Sequence, residues 1–170
     1  MTTYVALLRA VNVGGTGKLP MADLKTLCVE LGYRRVETYI ASGNVVFDSD
    51  AATLEVKAEL EKSLLAYAGK AVGTVVRTAA QMRTVLAGNP FVDKEPNRTY
   101  AFFLQDRPAA DTLDRVRGRS GEEIRVAERE IYVHYPFGMG QSKLKIPAAA
   151  QGTARNLNTV AKLVEMSSRS

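Results

Sequence analysis

The chain is poor in the residues that build staples, metal sites and nucleophilic pairs. Its 170 residues include a single cysteine, Cys28, and a single histidine, His134. One cysteine excludes an intramolecular disulfide framework and fits a reducing compartment. One histidine and one cysteine on separate segments leave too few ligands for a structural zinc site and no orienting third group for a Cys/His nucleophile. Long apolar runs are missing too. Nowhere do the ~18 consecutive apolar residues of a membrane span occur, and Met1-Thr2-Thr3-Tyr4 lacks the basic start of a secretory leader. The expectation is a cytoplasmic protein with no membrane partner, no metal and no cofactor.

The rest of the composition is that of a globular chain: 46% hydrophobic and 24% charged residues, with a formal net charge of +5. The charge is unevenly spread. From His134 onward Lys143, Lys145, Arg155, Lys162 and Arg169 face Glu165 alone. Such a patch attracts nucleic acid, a nucleotide or an acidic partner, or serves only as solvated surface.

Hydrophobic periodicity orders the first 78 residues as β-α-β-β-α-β. Tyr4 to Arg9 reads as a buried strand, and Leu24, Leu27, Cys28 and Leu31 mark one face of a helix that Gly32 stops. Val36 to Ile40 and Asn44 to Phe47 form strands joined by Ala41-Ser42-Gly43. Asp50 is placed to cap a helix with Val56, Leu60, Leu64 and Tyr67 inward, ending at Gly69, and Val72 to Arg77 closes the set. This is the order of a split βαβ, ferredoxin-like unit. A related pattern follows. Thr78 and Gln81 make a capping box for a short helix, Tyr100 to Leu104 is a strand, and Pro108 to Arg117 reads as a helix with Leu113 and Val116 inward. Ile124 and Val126 pair with Ile131, Val133 and Tyr135 around a turn at Glu128-Arg129. A last helix, opened by Gly152 to Thr159, buries Leu157, Val160, Ala161 and Val164. The fold expected is α+β: a βαββαβ half over residues 1–78 and an αβαββα half over 79–170 that lacks the final strand.

Three stretches carry a resemblance. Tyr4-Val5-Ala6-Leu7-Leu8-Arg9-Ala10-Val11-Asn12-Val13-Gly14-Gly15, Thr38 to Phe47, and the runs Gly138-Met139-Gly140-Gln141-Ser142-Lys143-Leu144 and Thr153-Ala154-Arg155-Asn156 resemble the bacterial domain-of-unknown-function family numbered 1697, over nearly the whole chain. The resemblance implies a two-part α+β fold with ferredoxin-like elements. It brings no activity, cofactor or catalytic residue. The family usually shows Trp after the Arg-Asn pair, where this chain has Leu157. If that ring stacked on a ligand, function differs here; if it was core, Leu replaces it tolerably.

Candidate binding residues come from the two polar, glycine-bearing loops: Arg9, Asn12, Gly14 and Gly15 after the first strand, and Ser142, Lys143, Arg155 and Asn156 near the C-terminus. A basic loop feeding a helix N-terminus suits a phosphate or carboxylate, and a cation such as Arg155 in a first helical turn calls for an anion or an intramolecular carboxylate. Gly14-Gly15-Thr16-Gly17-Lys18 is no Walker A loop, because Asn12 and Leu19 stand where Gly and Ser or Thr are required. Single-stranded RNA binding is the alternative, with Tyr132 and His134 as the candidate exposed stacking pair, although no RNP1-type strand is present. A protein-docking face without catalysis is a third reading. Glu122-Glu123, Glu128 and Glu130 read as solvent-facing partners of Arg125 and Arg129, so no acid/base pair and no catalytic residue is assigned, and the enzyme reading is the least favoured.

Overall fold

Five consecutive residues of the first strand, Tyr4 to Leu8, are apolar, which demands cover on both faces. In the computed structural model, which describes residues 1–10 and 18–168, Tyr4, Val5, Ala6, Leu7 and Leu8 are all buried. The chain separates into two compact units, Met1–Arg83 with Leu163–Ser170, and Thr84–Lys162. The α+β class is the one observed.

In the first unit β1 (Thr2–Leu8), α1 (Met21–Glu30), β2 (Arg34–Tyr39), β3 (Asn44–Ser49), α2 (Thr53–Ala68) and β4 (Thr74–Thr78) form an antiparallel sheet ordered β2-β3-β1-β4, with two helices on one face. Tyr4, Ala6, Leu8, Val45, Phe47 and Val76 meet Leu24, Cys28, Val56, Leu60 and Leu64 there, and the Tyr33 ring stacks on Phe47 at 4.3 Å. α1 ends as its glycine requires. Gly32, at φ +88°, donates to the Val29 carbonyl and Tyr33 reaches back to that of Cys28, a Schellman closure. Burial pushes the Cys28 thiol up to about 12. The capping box is formed: Thr78 N–H donates to Gln81 Oε1 at 2.8 Å, and Gln81 N–H donates to Thr78 Oγ1 at 3.1 Å, starting α3 (Ala79–Ala87). Two expectations are corrected. α2 is preceded by Ala52 with no side-chain cap, because Asp50 turns outward to the N-terminal ammonium, and Tyr67 is exposed, its hydroxyl donating to Asp23.

The second unit repeats the strand order. β5 (Thr99–Phe103), β6 (Glu123–Val126), β7 (Glu130–His134) and β8 (Thr153–Asn156) make an antiparallel sheet ordered β6-β7-β5-β8. The expected absence of a final strand is therefore wrong: residues 153–156 pair with β5 before α4 (Leu157–Ser167) begins. Asn156 Oδ1 accepts from Thr159 N–H at 2.9 Å and caps that helix, so helix and strand share one junction. In α4 Leu157, Val160, Leu163 and Met166 are buried, whereas Ala161 is exposed and Val164 half-buried, which rotates the expected inner face.

The expected helix over 108–117 is also absent. Only a 3-10 turn, Thr112–Arg115, forms. A helix this short needs an apolar face to pack, and Leu113 is exposed; Arg117 instead exchanges backbone hydrogen bonds of 2.9 and 2.8 Å with Lys145. Loops thus cover the sheet face formed by Tyr100, Phe102, Ile124, Ile131 and Val133, with Val116, Leu144 and Ile146 packed on it.

Candidate functional site

The loop coverage of the second sheet leaves hollows. Beyond β7, Tyr135 N–H donates to the Arg98 carbonyl at 2.8 Å and Arg98 Nη1 donates to the Pro136 carbonyl at 2.6 Å, which fixes where the chain leaves the sheet. Gly138, at φ +84°, then turns it into a 3-10 turn, Met139–Gln141. The returning strand of loop is pinned by the Arg117–Lys145 bridge. Gly118 lets the two segments touch, because a Cβ there would lie well inside contact distance of the Lys143 carbonyl.

Between these segments lies a cavity of about 310 Å³, called the polar cavity for the Ser120, Glu122, Ser142 and Lys143 side chains in its wall, although much of its lining is apolar, Tyr135 and Phe137 included. Glu122 is 5% exposed. Its Oε2 accepts from the Ser142 hydroxyl at 2.5 Å, and its Oε1 accepts from Ser120 N–H at 2.5 Å. Arg119 Nε donates to its carbonyl at 2.7 Å. Burial pushes the Glu122 carboxyl up, but the Ser142 hydroxyl, the Ser120 amide and Arg119 outweigh it, and the pKa falls below its ordinary value. Ser142 Oγ also accepts from Leu144 N–H at 3.1 Å, so this hydroxyl ties the loop to the carboxylate.

An apolar cavity of about 410 Å³ lies alongside, lined by Phe102, Tyr135, Met139, Leu144, Ile146 and Ala149. Tyr135 and Ser142 border both. The Tyr135 ring is held edge-on to Tyr100, centroids 5.6 Å apart at 85°.

Of the residues nominated from sequence, the structure brings Ser142 and Lys143 together in the polar cavity. Arg155 is elsewhere. It is not in a first helical turn but on β8, opposite Ala101 and on the sheet face that carries Tyr132, away from the loop bearing Leu144. Its Nη1 donates to Thr153 Oγ1 at 2.6 Å and to the Ala154 carbonyl at 2.9 Å; burial pulls it down to about 10, still protonated at neutral pH. Asn156 is the α4 cap and lines neither cavity. Arg9, in the first unit, donates its N–H to the Gly73 carbonyl at 2.8 Å; Asn12, Gly14 and Gly15 fall outside the described residues. Ser42-Gly43-Asn44 proves architectural: Asn44, fully buried, donates to the Tyr39 carbonyl and to Ser42 Oγ.

Two further expectations are overturned. Tyr132 and His134 are not an exposed stacking pair; they are 3% and 6% exposed, Tyr132 donates to the Val85 carbonyl at 2.6 Å, and His134 Nδ1 lies 3.4 Å from Thr99 Oγ1. Glu122 and Glu130 are buried rather than solvent-facing. Sequence reasoning missed Glu122, Tyr135 and Phe137 as cavity residues. The signal for Glu122 was its parity with Ile124, which places it toward the covered face of β6. Leu157, 2% exposed, is a core position and no stacking surface. Among the described residues no cluster of three His, Cys, Asp or Glu could hold a metal, and no helix is long and apolar enough to cross a membrane.

These features define an α+β protein of two units, each built on a four-stranded antiparallel sheet of the same strand order, with a polar cavity in the second. The chain belongs to the DUF1697 family, proteins of unknown function, whose model matches residues 1–132. That span stops short of the Gly138–Leu144 run, so the resemblance over nearly the whole chain narrows to it. The fold is shared with a conserved bacterial protein, SP0830 from Streptococcus pneumoniae, at 24% identity and a TM-score of 0.80, over 97% of this chain and 98% of that one. No curated protein matches.

Proposed function

We propose that the second unit binds a small ligand carrying a phosphate or carboxylate group in its polar cavity. The observation that carries this is the wall of that cavity: Lys143 stands exposed at its rim, and a buried, hydrogen-bonded carboxylate, Glu122, lies below. The ammonium supplies the countercharge. Each Glu122 oxygen already accepts one bond and keeps a further lone pair, so the same cavity also accepts a hydroxyl or amine donor where the anion bears one. The carboxylate field disfavours a second negative group at depth, which orients the ligand with its anion outward.

Binding is favoured over catalysis by the state of Ser142. Its hydroxyl donates to a carboxylate of lowered pKa, an arrangement that holds a hydroxyl in place and makes a poor base. His134, the only histidine, is on the opposite face of the sheet, in the row of Thr99 and Tyr132. The nucleic-acid alternative loses its stacking pair to burial.

The test is an NMR titration of wild type and Lys143→Ala with inorganic phosphate, citrate and glucose 6-phosphate. One of the hydroxylated anions should bind the wild type in a salt-sensitive way, and removing a charge-assisted contact should weaken it about tenfold or more. Equal affinity in both proteins, or no anion bound at all, rejects this site.

A further inference from the structure

We infer that the apolar cavity is the second half of the same site, so that the ligand is an acidic amphiphile: one anionic head and a short acyl or aromatic body. The inference rests on the anion-binding reading and specifies its ligand class. The two cavities share Tyr135 and Ser142 among their lining residues, and Lys143, which lines the first, is followed in the chain by Leu144, which lines the second. Charge and apolarity thus adjoin on one loop.

The cavity exists for a topological reason. In the first unit α1 and α2 fill the sheet face with Leu24, Cys28, Val56, Leu60 and Leu64. In the second unit the corresponding connections, 104–122 and 135–152, contain no α-helix, and 3-10 turns replace them. The loop side chains Leu144, Ile146 and Ala149 reach the sheet at Phe102 and Tyr135 without closing the space. A cavity of this size lined by apolar groups beside a few polar ones has the character of a small-molecule site. Met139, unbranched and 38% exposed, is an adaptable side chain among its lining residues. An apolar body entering the cavity removes its own surface and that of these residues from water, and each methylene so buried is worth about 0.8 kcal/mol, or about fourfold in affinity.

The experiment titrates the 170-residue chain with acetate, butanoate, hexanoate and octanoate, and with 1-octanol as the uncharged control, following backbone amides by NMR. Affinity should rise about fourfold per methylene up to octanoate, with octanol weaker and with shifts at Met139, Leu144 and Ile146. Ala149→Phe, which fills the cavity, should flatten the series and leave acetate unchanged. Met139→Glu, at an exposed position that does not endanger folding, should weaken octanoate more than acetate. Lys143→Ala should weaken every carboxylate by one factor and preserve the slope. Acetate and octanoate bound equally would overturn the amphiphile and leave the anion site standing. Octanol bound as tightly as octanoate would overturn both.

Discussion

Substituting Gly118 by alanine tests whether the cavity-forming loops are held by the contact described. Two costs add at this position. An alanine at φ +70° enters left-handed space, which costs roughly 1–2 kcal/mol. Its Cβ also runs into the Lys143 carbonyl, a backbone atom that cannot swing aside, because Lys145 N–H and Arg117 N–H lock the two segments at 2.8 and 2.9 Å. Overpacking of that kind costs roughly 1–3 kcal/mol, so the expected loss is about 2–5 kcal/mol, a fall in Tm of about 4–20 °C for a chain of this length. Two other glycines separate the terms. Gly69, left-handed at φ +72° and ψ 7°, has nothing within 4 Å, so Gly69→Ala should carry only the conformational cost. Gly140 has open space and no positive φ, so Gly140→Ala should stay within about 0.5 kcal/mol of wild type. Thermal unfolding and urea midpoints of the three variants should fall in the order Gly140, Gly69, Gly118. If Gly118→Ala costs no more than Gly69→Ala, the carbonyl contact does not constrain the loops and the reasoning fails.

Three further outcomes are expected. Thr78→Ala removes the hydroxyl that accepts from Gln81 N–H and should cost about 1 kcal/mol, read as a fall in Tm that Thr78→Ser restores; an unchanged Tm would show the capping box contributes nothing. Glu122 has a folded pKa below its unfolded value, so its contribution is present above the ordinary glutamate range and is lost as pH falls through the folded pKa; wild type should lose stability on acidification more steeply than Glu122→Gln, and parallel pH profiles would refute the assignment. Cys28, fully buried with its thiol raised to about 12, should ignore an aromatic disulfide reagent at pH 8 until urea unfolds the chain, and a native reaction at the free-thiol rate would place it at the surface.

The elements that were legible in the sequence are those whose signal is local. Gly32, the Thr78–Gln81 box, the apolar row of α1 and that of α2 as far as Leu64 each act within a few residues, and each appears where its chemistry puts it. The segments misread depend on partners far along the chain. Thr153–Asn156 looks like the polar start of a helix until β5, some fifty residues earlier, is there to pair with it. Residues 108–117 carry enough apolar spacing for a helix, yet their backbone finds Lys145 instead. The same reason hid half the site. Lys143 and Ser142 announce themselves in a glycine-bearing run, whereas Glu122 acquires meaning only once Ser142 is brought to 2.5 Å from it.

The position of β8 in the chain has a consequence for biosynthesis. β5 is an inner strand, and its first neighbour, β7, is complete at His134, but its second neighbour is complete only at Asn156. At ~5–20 residues per second the ribosome needs roughly 1–4 s to make the intervening chain. For that interval Tyr100-Ala101-Phe102-Phe103 presents an unpaired apolar edge, the kind that templates pairing with another nascent chain. The segment made in those seconds supplies most of the lining of both cavities, so the larger part of the ligand site and the strand that protects the sheet edge are delivered by the same late stretch of translation.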